Sequence, residues 1–304
     1  MQNICVTHKY CYDGLAAAWV FEEKFGYNRK RLKTSDNVIF TTRDDEWEEK
    51  NLLDLVKKRF DIETIYFLDY CPTNSAIDTL ISNNMNFVVI DHHQDAYLRM
   101  KNLGHEDKMF YDPNHSGCVL AWMFFKGASS AFEDRLPEVF EYIEKQDLWQ
   151  MKQQDEFIAE WIQYKITDYQ TSEISHVLQV WDKSEALTTG STLWFKKQNE
   201  IKFITRKPAI VDFDGKEVLA VNSNTNRSEI GHVLSDKSPS GLGLVYSISP
   251  YNNVHVSVRG KGANDFCKAF GGGGHEEASG FSMELEKFMS YLKMAKPYNG
   301  GIKK

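Results

Sequence analysis

Phe87-Val88-Val89-Ile90 is a run of four apolar residues that stops abruptly on Asp91-His92-His93-Gln94. A short run with no polar alternation reads as a strand buried on both faces, the kind that makes parallel sheets. The pattern recurs at residues 3–7, 37–42 and 64–68. Helix-like segments separate these runs. Residues 13–25 place Leu15, Ala18, Trp19 and Glu22 at helical spacing, residues 45–59 do the same with Trp47, Leu52, Leu55 and Val56, and residues 75–83 form a third. Strands alternating with helices of this length predict an α/β fold with a mostly parallel sheet and crossover connections. The carboxyl ends of such strands share one edge, where open α/β sheets take their ligands.

Beyond residue 117 the pattern changes. Residues 117–126, 136–144 and most of 155–205 read as helical, with Trp161, Tyr164, Trp181, Trp194 and Phe203 at apolar positions. A second mixed unit follows. Strands are expected at 209–212 and 218–222, a short helix at 230–235, a hairpin at 243–249 and 253–259, and a helix at 265–270. The tail from Lys296 is basic and is expected to fray. The organisation expected is a catalytic domain over 1–155, a helical bridge over 156–205 and a smaller mixed α/β domain over 206–304.

Composition removes several functions. A net charge of −7 argues against a protein that tracks long nucleic acid by neutralising many phosphates. Apolar content of 42% with 26% charged residues suits a folded chain. No stretch has the roughly 18 apolar residues of a membrane span, and Met1 to Cys5 lack the basic start of a signal peptide. Cys5, Cys11, Cys71, Cys118 and Cys267 form no close pair, which argues against a disulfide framework or a structural zinc site. A reducing cytoplasm is the expected compartment.

Acidic residues recur at the expected strand ends. Asp13 follows the first strand, Asp69 ends the third, Asp91 ends the fourth, and Asp147 follows a helix. With His8, His92 and His93 they would gather at one sheet edge. Carboxylates packed that closely stay ionised only if cations share the site. Mixed carboxylate and imidazole donors suit manganese, iron or zinc better than calcium. For Asp13 alone, capping the following helix is the competing reading. A second anchor is Gly271-Gly272-Gly273-Gly274-His275. Consecutive glycines let successive N–H groups form an anion-binding nest. Arg259, at the end of an expected strand, can grip a phosphate with two N–H groups.

In this order, these motifs resemble the DHH phosphoesterase superfamily over nearly the whole chain. The resemblance is nearest to its branch of short-oligoribonucleotide nucleases and cyclic-nucleotide phosphodiesterases. Three segments carry it besides the triplet and the glycine run: Cys11-Tyr12-Asp13-Gly14, Asp112-Pro113-Asn114-His115-Ser116-Gly117, and Gln146-Asp147-Leu148-Trp149. It implies two divalent ions, manganese foremost, with magnesium or cobalt as alternatives. His8 would hold the first and Asp13 the second, Asp69 would bridge them, and His92 and Asp147 would complete the second site. Asp91 would orient His92, and His93 would lie by the substrate phosphate. Arg259, Gly272, Gly273, Gly274 and His275 would bind a phosphate or terminal nucleotide. The implied activity is hydrolysis of short RNA to 5′-mononucleotides through a two-metal activated water, by a monomer or homodimer. Hydrolysis of cyclic mono- or dinucleotides or their linear products is an alternative. Pyrophosphate hydrolysis and nucleotide binding without turnover are more distant readings. Cys11 stands where many relatives carry a second aspartate, and His115 where relatives often carry arginine.

Overall fold

The computed structural model describes residues 1–27, 33–41, 54–126 and 135–298. It divides into two compact units, Met1–Trp194 and Phe195–Lys304.

The first unit is built on a five-stranded parallel sheet: β1 (Gln2–His8), β2 (Val38–Thr41), β3 (Ile62–Leu68), β4 (Phe87–Asp91) and β5 (Met109–Tyr111). Their order in space is β2-β1-β3-β4-β5, with every neighbouring pair parallel. The chain moves one way from β1 to β2 and the other way from β3 to β5. The reversal falls between β1 and β3, where doubly wound sheets open a crevice at their carboxyl edge. Residues 3–7 of β1 are all buried, because helices cover both faces. One face packs against α1 (Tyr12–Phe25), α4 (Gly117–Lys126) and α5 (Glu138–Asp147) in a core containing Leu15, Phe21, Leu68, Ile90, Leu120 and Phe140. The other packs Ile65, Phe67, Phe87 and Val89 against Ile77 and Leu80 of α2 (Asn74–Ser82) and Met100 of α3 (Gln94–Asn102). Two further helices, α6 (Gln153–Lys165) and α7 (Thr171–Gln179), extend the first core through Trp161, Ile174 and Val177. The long α8 (Lys183–Ile204) crosses the division between the units.

The second unit carries a seven-stranded mixed sheet in the order β10-β11-β9-β8-β7-β6-β12. Its strands are β6 (Ala209–Phe213), β7 (Lys216–Asn222), β8 (Gly243–Ile248), β9 (Asn253–Arg259), β10 (Gly273–His275), β11 (Ala278–Glu284) and β12 (Lys296–Pro297), with α9 (Arg227–Lys237), α10 (Ala263–Lys268) and α11 (Leu285–Leu292). The expected hairpin is the antiparallel pair β8–β9.

Three expectations need correction. Lys296 and Pro297 do not fray; they pair with Ile210 and Ala209 of β6. The glycine run is not an open loop throughout, since Gly273 to His275 is an edge strand paired with β11. The first helix is capped by Cys11, whose Sγ accepts from the Gly14 N–H, and not by Asp13. The expected helix over 45–59 lies outside the described residues except for a helical turn at 54–57. Among the described residues, no helix is long and apolar enough to cross a membrane.

Candidate metal centre

The carboxyl edge at the β1/β3 reversal brings together residues far apart in sequence. His8, the last residue of β1, places Nε2 2.7 Å from Oδ2 of Asp69, which follows β3. Asp69 holds φ at 51°, a left-handed conformation that aspartate tolerates better than bulky residues do. From the helix side, Cys11 Sγ lies 3.5 Å from Asp69 Oδ2. His8, Cys11 and Asp69 thus offer one donor each, all within 4.8 Å of one another. A second trio, Asp13, His92 and Asp147, satisfies the same limit, as does the set Asp69, Asp91, His92 and His93. The sets meet where His92 Nε2 comes 3.4 Å from Asp69 Oδ1 and 3.2 Å from Asp147 Oδ2.

Asp13 is fixed by a device the sequence did not advertise. Its Oδ2 accepts from the Gly117 N–H at 2.6 Å and its Oδ1 from the Cys118 N–H at 2.9 Å. These are unpaired amides at the start of α4, where a negative charge is also favoured by the helix dipole. Each carboxylate oxygen has a second lone-pair direction, so this anchorage leaves Asp13 able to ligate. Gly117 permits the approach: a Cβ there would lie 2.5 Å from Asp69 Cβ and 2.8 Å from Asp13 Oδ2. Behind it, Glu144 Oε2 accepts from the Ser116 N–H at 2.9 Å and lies 3.2 Å from His115 Nδ1.

Asp91 does not orient the His92 ring, as the resemblance implied. Its Oδ1 lies 2.6 Å from His93 Nδ1 and accepts from the main-chain N–H groups of His92 and His93. An aspartate two residues back can accept from the Nδ1–H of a ring that folds toward it, whereas the His92 ring turns to Asp69 and Asp147. His92 and His93 remain neighbours, with ring centroids 4.3 Å apart.

The electrostatics are those of a centre short of positive charge. Burial, then the Asp69 charge, pushes Asp13 up. Burial, with Asp13 and Asp69 nearby, raises Asp147 to about 7. Asp69 goes the other way: burial works to raise it, but the hydrogen bond with His8 and the nearness of the histidine rings and their charges outweigh burial and hold it below the usual carboxylate range. Burial pulls His92 down, yet Asp69 and Asp147 lift it to about 9. His93 is likewise raised by Asp91 against its burial. Burial and the two aspartates keep Cys11 a thiol.

The donor set fits divalent ions. Asp69 Oδ1 and His92 Nε2 are buried without a hydrogen-bond partner among the described residues. They approach each other at 3.4 Å, but not with hydrogen-bond alignment. Buried polar atoms are rarely left this way, and a shared cation would satisfy both.

In the second unit Arg259 ends β9 and Gly273 to His275 form β10, the two strands that flank β11. Ala278 of β11 pairs with Arg259 on one side and His275 on the other. Arg259 Nε donates to Ser228 Oγ at 3.2 Å. Gly274 holds φ at 146°, and Gly272 lies so close to Gly280 and Phe281 that a Cβ would meet the Gly280 carbonyl oxygen at 2.1 Å.

No family model matches the chain. An uncharacterized protein of Acanthamoeba polyphaga mimivirus is 25% identical, over 92% of this chain and 67% of its own. Among the solved structures similar to the chain are two that cover nearly all of it. One is a DHH domain from a member of the s1p family of ribosomal proteins, at TM-score 0.53 and 15% identity, covering 96% of this chain and 85% of that one. The chain has a DHH-like fold. The other is PggH, a pGpG-specific phosphodiesterase of Vibrio cholerae, at TM-score 0.50 and 16% identity, covering 96% of this chain and 97% of that one.

Of the residues named from sequence, His8, Asp13, Asp69, Asp91, His92, His93 and Asp147 come together in the first unit. Gly117, Cys118 and Glu144 were not singled out as site residues. The Ser116-Gly117 dipeptide before an apolar helical run was the signal for a close approach there. Trp149, part of the Gln146-Asp147-Leu148-Trp149 segment, is 76% exposed with φ at 57°, two residues past Asp147.

Proposed function

We propose that the chain is a DHH-superfamily, metal-dependent phosphodiesterase that hydrolyses short oligoribonucleotides to 5′-mononucleotides. The observation that carries this reading is the meeting of two ligand trios at Asp69 and His92, on the crevice side of a parallel sheet. In this reading His8 and Cys11 hold one ion, Asp13, His92 and Asp147 hold a second, and Asp69 is shared. Manganese is the foremost candidate, with magnesium or cobalt as alternatives. Bound there, two divalent ions would supply positive charge for phosphate oxygens and a more acidic water as nucleophile.

The protein's own groups do the rest. The start of α4 holds Asp13 rigidly, which keeps the ligand set preorganised. Asp91 holds a proton on His93 Nδ1, leaving Nε2 as the atom that hands a proton to the departing 3′-oxygen. Burial works against it, but Asp91 raises the affinity of His93 for protons, which favours the protonated donor. Arg259, Gly272, Gly273, Gly274 and His275 bind the phosphate or terminal nucleotide in this reading. The placement of Arg259 and of Gly273 to His275 on the two strands flanking β11 supports it. The fold shared with a pGpG-specific phosphodiesterase favours a linear dinucleotide as a second reading.

Product analysis with added manganese tests the proposal, using di- to pentaribonucleotides, pGpG, cyclic mono- and dinucleotides, and pyrophosphate. Release of 5′-mononucleotides that is abolished in His92→Ala and Asp69→Ala supports it. Manganese binding with no hydrolysis of any of these leaves a binding protein. Release of phosphate from pyrophosphate alone moves the assignment to a pyrophosphatase.

A further inference from the structure

The loop from β1 to α1 carries an aromatic ring that the catalytic reading does not use. Tyr10 lies one residue from Cys11 and two from His8, holds φ at 63°, and is 66% exposed. Bulky side chains seldom adopt that backbone conformation. The ring is braced from behind. Tyr169 meets it at right angles, with centroids 5.4 Å apart. Tyr169 in turn stacks on Tyr12, the first residue of α1, and donates its hydroxyl hydrogen to the Tyr12 hydroxyl at 3.2 Å. Tyr169 also has positive φ, at 53°. The Lys9 ammonium stands 4.8 Å from the Tyr10 ring centroid.

Two chain steps separate the Cα atoms of Tyr10 and His8 by at most about 7 Å. A ring rooted there is within one nucleoside of a phosphate held at the candidate metal centre. A supported aromatic face beside a lysine and a phosphate site is the arrangement by which proteins hold single-stranded nucleotides. We propose that Tyr10 is a base-stacking platform: a substrate nucleobase lies on its ring while the adjoining phosphate sits at the metal centre, with Lys9 adding positive charge. This rests on the phosphodiesterase reading and narrows it to substrates with a base next to the scissile phosphate. Every base has a π face, so the platform gives little preference among bases.

The test compares the full chain with Tyr10→Leu and Tyr10→Phe, in manganese. The substrates are a diribonucleotide and its two analogues lacking one base. The expected result is a KM raised roughly 5- to 100-fold by Tyr10→Leu, the range for losing one stacked base. The value of kcat stays within a few-fold, and Tyr10→Phe behaves as wild type. On one abasic analogue, Tyr10→Leu and wild type become equal. An unchanged KM in Tyr10→Leu overturns the proposal, as does the same loss on both analogues, which marks a merely structural effect. Calorimetric binding of a dinucleotide with a non-hydrolysable phosphonate linkage separates the two readings. Tyr10-dependent binding without hydrolysis sinks the hydrolase and keeps the platform. Hydrolysis indifferent to Tyr10 does the reverse, and neither binding nor hydrolysis overturns both.

Discussion

Gly117→Ala adds one methyl group and should disable the metal centre. The new Cβ would lie 2.5 Å from Asp69 Cβ, 3.0 Å from Asp69 Cγ and 2.8 Å from Asp13 Oδ2. Carbon atoms pack comfortably at about 3.5–4.0 Å, so something must yield by roughly 1 Å. Neither neighbour has room, since Asp13 and Asp69 are each 1% exposed. Asp13 is also tied to the Gly117 and Cys118 amides, so relief by moving α4 drags one ligand with it. Overpacking of this kind destabilises by about 1–3 kcal/mol. For a unit of this size that lowers Tm by about 2–4 °C per kcal/mol, a fold that survives. The larger effect falls on the ligand geometry. Disturbing groups that position metal ligands weakens binding by about 10–100-fold. Manganese titration followed by electron paramagnetic resonance reads the affinity, and thermal melts with and without manganese read the fold. A Gly117→Ala protein that binds manganese as tightly as wild type would refute the assignment of Asp13 and Asp69 as ligands.

Three further outcomes are expected. Manganese affinity should rise with pH, because binding must expel protons from His92, lifted to about 9, and Asp147, lifted to about 7. The gain approaches tenfold per pH unit for each proton released, and titrations at pH 6, 7, 8 and 9 that give one constant affinity would contradict it. The same two groups fix the sign for the metal-free protein. His92 stabilises below its unfolded value near 6.5 and loses that contribution as pH rises through about 9; Asp147 lowers stability as pH climbs from its unfolded value near 3.8 to about 7. Metal-free Tm should therefore fall from pH 6 to pH 9, and manganese should reduce the fall. Asp91→Asn keeps the acceptor for the two main-chain amides but removes the charge that holds the His93 proton. It should lower kcat about 10–100-fold and move the alkaline limb of the pH profile to lower pH; an unmoved limb would separate His93 from proton transfer. Glu22, fully buried, accepts from the Ser35 N–H at 2.6 Å and the Thr171 hydroxyl at 2.5 Å. Glu22→Ala strands the Ser35 N–H and leaves the Thr171 hydroxyl only the longer contact with Thr34 Oγ1 at 3.3 Å; it should cost about 1–3 kcal/mol, seen as a lower urea midpoint with manganese affinity preserved in the folded protein.

The parts of the fold legible in sequence were those with short-range causes. Apolar runs of four or five residues with no alternation gave β1, β3 and β4 to within two residues at each end, because strands covered on both faces leave no polar positions to blur the pattern. The third helix was missed: Gln94–Asn102 buries only Ala96 and Met100, too few apolar positions to stand out from a polar loop. Strand β5 has three residues, none fully buried. The Gly273–His275 edge strand was hidden because glycine has no strand preference, and its pairing with β11 comes from register across the sheet, not from local sequence. The tail was misread for the same reason, since two residues pairing with β6 leave no trace in composition.

The site divides along the same line. The candidate ligands could be grouped in sequence because strand ends in a parallel sheet must share an edge, and the structure brings them within ligand distance of one another. What sequence could not supply was which group holds which. Asp91 and His92 are adjacent in the chain, and the family resemblance paired them; the fold turns the His92 ring to Asp69 and Asp147 and gives Asp91 the His93 ring. The competing reading of Asp13 as a cap for its own helix gives way to a cap on α4, more than a hundred residues away. That exchange of caps ties the two ends of the centre together. The same carboxylate that would bind an ion fixes α4 against α1, so Asp13 cannot be displaced without loosening both helices. Burying Asp13 beside the Asp69 charge raises the energy of its ionised form in the metal-free fold, and a cation held there would lower it. With Asp13 as a ligand of the proposed centre, metal binding and folding stability would be coupled through one residue, and conservative changes at Asp13 should reduce both together.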